Sequence, residues 1–75
     1  MNENKEISDL ALATFLSVTG HKLSSTPRTS GRKAIFIFEA SEKLEKDILA
    51  FYNRTARVDP IGFAETFRNL KALVL

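Results

Sequence analysis

Residues 21–39 read HKLSSTPRTSGRKAIFIFE, and the second half of this stretch decides the fold. Ala34–Phe38 is a run of β-branched and aromatic residues, the composition of a strand. Alternation places Ala34, Phe36 and Phe38 on one face and Lys33, Ile35, Ile37 and Glu39 on the other. Both faces are apolar at their centre, more than a ribbon with one wet face requires. Upstream, HKLSST is the expected partner strand, joined through a turn around PRTSG in which Pro27 restricts the backbone and Gly31 frees it. Its low apolar content marks it as the weaker, edge-like member.

Outward from this ribbon the period becomes helical. Ser8 is the expected N-cap of a first helix, with Asp9 at the positive end of its dipole. Ile7 and Leu12 occupy the staple positions around that cap, and Gly20 is the expected stop. At 100° per residue Ala11, Leu12, Phe15, Leu16, Val18 and Thr19 form the core arc. Leu10, Ala13, Thr14 and Ser17 fall on the other side, which carries no charge. Downstream, Ser41 caps a second helix whose Leu44, Ile48, Phe51 and Tyr52 recur at helical spacing. Asp59-Pro60 opens a third, with Phe63, Phe67, Leu70 and Val74 as its stripe and Ile61 and Ala64 beside it. The expectation is a small α+β single domain in the order α-β-β-α-α, a two-stranded antiparallel hairpin packed by three helices. Residues 7–75 form the compact domain and residues 1–6 a disordered N-terminal tail.

Seventy-five residues without a cysteine must draw their stability from one small core or from association. Absence of cysteine suits a reducing cytoplasm. Residues 1–9 contain no apolar stretch of the signal-peptide kind. The longest uncharged stretch, Leu10–Gly20, is shorter than the ~20 apolar residues that span a bilayer, so no membrane is expected. The net charge of +2 is unevenly distributed: residues 1–9 carry −2, residues 10–38 +4, residues 39–50 −2 and the remainder +2. Positive charge is thus concentrated on the ribbon that decides the fold.

The run SDLALATFLSVTGHKL, then GRKAIFIFE, an acidic helix with AFYN, and VDPIGFAETFRNLKA resembles a group of short uncharacterised bacterial and phage domains. The resemblance extends over residues 7–73, and Ser8, Asp9, Gly20, His21, Lys22, Gly31, Arg32, Asp59 and Pro60 carry its pattern. It implies a bacterial or phage cytoplasmic setting and no particular mechanism.

The residues themselves argue against catalysis. Without cysteine there is no Cys-His pair, and His21, the only histidine, would need a distant acid to serve in a triad. A histidine just beyond a helix C-terminus reads first as a cap. One histidine without a neighbouring carboxylate pair falls short of a zinc site, so no catalytic, metal or cofactor site is expected. Glu42, Glu45 and Asp47 read as first-turn dipole charges, with Glu42 and Lys46 as an i,i+4 pair.

The chemistry that remains is anion binding. His21, Lys22, Arg28, Ser30, Arg32 and Lys33, with Thr29 and Gly31 between them, gather cations, hydroxyls and open backbone donors suited to phosphate oxygens. Tyr52, Asn53, Arg54 and Arg57 could extend such a site. The first reading is therefore a small non-enzymatic module that binds nucleic acid or a nucleotide-type phosphate ligand. The second is a protein-interaction module, such as a phage or mobile-element inhibitor or accessory subunit, working through Leu10, Ala13, Ile35 and Ile37. The same apolar surplus favours a homodimer.

Overall fold

The computed structural model describes residues 3–74. Its elements are β1 (Asn4–Ile7), α1 (Leu10–Val18), β2 (Arg28–Ser30), β3 (Lys33–Glu39), α2 (Glu42–Tyr52) and α3 (Pro60–Leu73). The α+β class and the three helices stand as expected. The sheet has three antiparallel strands in the order β1-β3-β2, one more than the hairpin.

The added strand comes from the expected tail. Residues 4–7 pair along β3, with Asn4 opposite Glu39 and Ile7 opposite Phe36, and Ala40 N–H donates to Glu3 O at 2.8 Å. A central strand apolar on both faces has two edges to satisfy, and a mostly polar segment can satisfy one through its backbone alone. Only Ile7 of β1 is buried. Residues 1 and 2 of the expected tail lie outside the described residues.

The other edge of β3 is shared. Leu23 bridges Phe38 and Ser24 N–H donates to Ile37 O; the chain then leaves the edge and returns as β2, with Arg28 opposite Ile35 and Ser30 opposite Lys33. The partner strand expected over HKLSST is therefore interrupted, and its regular part lies within the residues expected to turn. Gly31-Arg32 form a two-residue loop with φ +64 at Gly31 and a negative φ at Arg32, the pattern of a type II′ hairpin turn.

The helices cover the face that carries Phe36 and Phe38, both fully buried with Leu16 and Leu44, and joined in the core by Leu12 and Leu70. The core arc expected for α1 is too narrow. Ala13 and Thr14 are 0 % exposed, because this nine-residue helix is wrapped by the sheet, α2 and α3. Thr14 meets its polar demand by donating to Leu10 O at 2.7 Å. The uncharged second face is thus interior, and Ala13 is not available to a partner. The α1 cap is Asp9 instead of Ser8, since its Oδ1 accepts from Ala11 and Leu12 N–H at 2.9 and 3.3 Å.

Ser41 and Asp59 cap α2 and α3 as expected. On α2, Ile48 and Phe51 pack on the core, with the Phe51 ring 5.6 Å from that of Phe15. Tyr52 does not join them and is 60 % exposed. On α3, Leu70, Phe63 and Val74 reach the core, Phe67 stacks on Phe63 at 6.3 Å, and Ile61 and Ala64 face outward. Both α1 and α2 end in Schellman motifs: Gly20 N–H to Ser17 O with His21 N–H to Leu16 O, and Arg54 N–H to Phe51 O with Thr55 N–H to Ala50 O. The left-handed position is Gly20 at φ +110 in one and Arg54 at φ +61 in the other.

Candidate functional site

The register of β3 places the expected basic residues at two ends of the ribbon. Lys22, one residue before the Leu23–Phe38 bridge, lies beside Glu39, and Ser30 faces Lys33 at the turn. The two ends are separated by six residues of β3, about 20 Å at ~3.3 Å per residue. The single patch read from the sequence is therefore two sites with different surroundings.

At the base, the Schellman turn of α1 sets His21 against α2. His21 Nε2 lies 2.6 Å from Asp47 Oδ2, and the ionised carboxylate can only accept. Lys43 Nζ donates to the same oxygen from 3.3 Å. The hydrogen bond from His21 and then the Lys43 contact hold Asp47 below its ordinary carboxylate pKa, against the opposing effect of partial burial. His21 thus does more than cap α1: it ties the loop after α1 to α2. The i,i+4 ion pair on α2 is accordingly Lys43–Asp47, in place of Glu42–Lys46. In the sequence Asp47 reads as a dipole charge, and no local signal marks it as the partner of a histidine 26 residues away.

A shallow cavity of about 300 Å³ opens beside this pair, lined by Gly20, His21, Lys22, Glu39 and Ser41. Ser41 Oγ is engaged as the α2 cap, accepting from Leu44 N–H at 3.0 Å. A larger depression, about 600 Å³, adjoins the start of α2 and is lined by Glu3, Ala40, Ser41, Glu42, Glu45 and Lys46. Three carboxylates against one lysine make it a poor anion site. Among the described residues no group of three or more His, Cys, Asp or Glu side chains could hold a metal ion.

Between the two ends, Arg28 is committed to structure. Its Nη2 donates to Glu6 Oε2 at 2.6 Å, from β2 to β1 across the open face of β3. Ser24 Oγ lies 3.1 Å from Asn4 Oδ1 and makes a second crossing. These clasps pass on either side of Ile37, so the isoleucine face is half-covered by the sheet's own polar side chains. Ile35 and Ile37 are half-buried and belong to neither the core cluster nor the residues packed on it.

The tip differs from the base. Arg32 and Lys33 are exposed and enter no ion pair among the described residues. The exposed Ser30, paired with Lys33, stands beside it on β2, and Thr29, paired with Ala34, lies on the opposite face. Of the six residues expected to form one anion site, Ser30, Arg32 and Lys33 are thus gathered at the tip. Arg28 is neutralised by Glu6, His21 is paired with Asp47, and Lys22 lies at the far end. Of the expected interface residues, Leu10 is half-buried beside the core, Ala13 is enclosed, and Ile35 and Ile37 share the open sheet face.

No helix among the described residues is long and apolar enough to cross a membrane. No curated protein and no solved structure matches the chain. One family model does match, over residues 2–75, which bears out the resemblance to an uncharacterised domain family: the chain belongs to the domain of unknown function DUF5659.

Proposed function

We propose that this protein is a small non-enzymatic binding module whose β2–β3 hairpin tip contacts the phosphate backbone of nucleic acid. The observation that supports the reading is the adjacency of Arg32 and Lys33 at a tight turn, both exposed and without ion-pair partners among the described residues. The type II′ turn sets both side chains at the end of a ribbon whose strands are already paired, which lowers the ordering that binding requires. The neighbouring hydroxyl of Ser30, paired with Lys33, adds a donor of the kind that meets phosphate oxygens.

The surroundings narrow the mode. The tip carries no aromatic side chain, and the open sheet face shows Ile35 and Ile37 where a single-strand platform would place stacking rings. The contact is therefore with the backbone, insensitive to sequence and steeply weakened by salt. The setting that fits is a bacterial or phage cytoplasm, in keeping with the family resemblance and a chain without cysteine.

The test is binding to short duplex DNA, single-stranded DNA and RNA, read by fluorescence anisotropy at several salt concentrations. Duplex binding that falls with salt and is lost in Arg32→Ala/Lys33→Ala supports the reading. An affinity unchanged in that double variant contradicts it.

A further inference from the structure

The open face of the sheet carries a charge pattern with its own logic. Along the outward side of β3 the residues run Lys33, Ile35, Ile37, Glu39: a cation at one end, an anion at the other and two isoleucines between. We infer that two copies of this chain pack open face to open face, about a two-fold axis that lies between the sheets and perpendicular to β3. That operator reverses β3, so Lys33 of each copy meets Glu39 of the other and Ile35 meets Ile37. A two-fold parallel to β3 would instead set Lys33 on Lys33 and Glu39 on Glu39, and like charges exclude it.

The flanking strands agree with the first operator, which keeps β1 over β1 and β2 over β2. Glu6 then falls opposite Ser8 of the second copy, and Arg28 opposite Ser24, with no like charges opposed. At the centre each Arg28–Glu6 clasp brings its own counter-ion, so no unpaired charge is enclosed. Edge-to-edge pairing through β1 is the competing route to a dimer. That edge carries neither Lys33 nor Glu39, so charge reversal at those two positions separates the two routes.

The face spans three strands and about seven residues, roughly 330 Å² per copy. About 660 Å² in total is below the ~1,200 Å² of stable complexes, so the dimer belongs to the weak, transient class. The arrangement also brings Lys22 of one copy over Ser30 of the other and takes Lys33 into the pair with Glu39, so Lys33 is offered to phosphate by the monomer. The dimer is judged by hydrodynamics alone, whether or not the tip binds nucleic acid.

Sedimentation velocity over about 10 µM to 1 mM, the range in which a weak dimer forms, gives the test. The chain should shift from monomer to dimer. Lys33→Glu and Glu39→Lys should each weaken association about tenfold, with unaltered circular dichroism, and the Lys33→Glu/Glu39→Lys double variant should recover most of the loss. A chain that stays monomeric to 1 mM overturns the inference. So do single variants that dimerise like the parent, and a folded double variant that fails to recover.

Discussion

The two ends of the β2–β3 ribbon are alike in composition and opposite in what the fold does with them. At the base, His21 is locked to Asp47 at 2.6 Å, and Asp47 is further held by Lys43. At the tip, Arg32 and Lys33 face solvent with no acidic partner among the described residues. A run of positive charge in sequence is therefore not a site. Glu6 and Asp47 neutralise Arg28 and His21, whereas Lys22, Arg32 and Lys33 are exposed with no ion-pair partner among the described residues, and of these three Arg32 and Lys33 adjoin at the tip.

The contrast predicts that damage at the base costs stability and damage at the tip costs binding. The largest effect belongs to Phe38→Ala. Its ring is fully buried beneath the bridge to Leu23, and loss of a buried phenylalanine costs about 3–5 kcal/mol. A domain of this size has only about 4–11 kcal/mol in all, so urea melts should show a midpoint lowered by a large fraction of the parent's value.

Next comes Asp47→Asn, which removes a charge-assisted hydrogen bond in a half-buried setting and should lower stability by about 1–2 kcal/mol at pH 7. The sign with pH follows from the lowered pKa of Asp47. The folded state gives up this proton more readily than the unfolded chain, so the pair's contribution is complete above the ordinary carboxylate value of ~3.9. It is lost as pH falls through the lowered value. Urea midpoints of parent and variant should therefore differ at pH 7 and converge below about pH 4.

A smaller change sharpens what the base owes to Gly20. The same Schellman turn ends α2 with Arg54 at φ +61, a conformation that costs a side chain about 1 kcal/mol or more. Arg54→Gly should raise stability by about 0.5 kcal/mol, the relief being partly offset by glycine's freedom in the unfolded chain. Thermal melts should record a rise of a few degrees.

Much of this architecture was legible because its signals are local. AIFIF reads as β3 from alternation and β-propensity, and Ser41 and Asp59-Pro60 announce two helix starts by cap chemistry alone. What escaped is non-local. Asn4–Ile7 has one buried side chain and becomes a strand only because β3 has an edge to pair. A two-sided wheel places Ala13 and Thr14 outward, but the middle of α1, Leu12 to Leu16, is buried all round. The sorting of the basic residues depends on contacts across 22 and 26 positions, which no window along the chain contains.

The smallest stability effect carries the central claim. Arg32→Ala/Lys33→Ala should leave the melting transition within about 0.5 kcal/mol of the parent, as for other surface substitutions. The decisive measurement is duplex-DNA affinity against salt for this double variant beside Asp47→Asn. The Arg32/Lys33 variant should lose affinity and flatten the log–log salt slope by about 1.8, at ~0.9 per phosphate contact. Asp47→Asn, assayed where it is still folded, should keep both. Equal affinity and slope in parent and Arg32/Lys33 variant, or loss confined to Asp47→Asn, would contradict the assignment of binding to the tip and structure to the base.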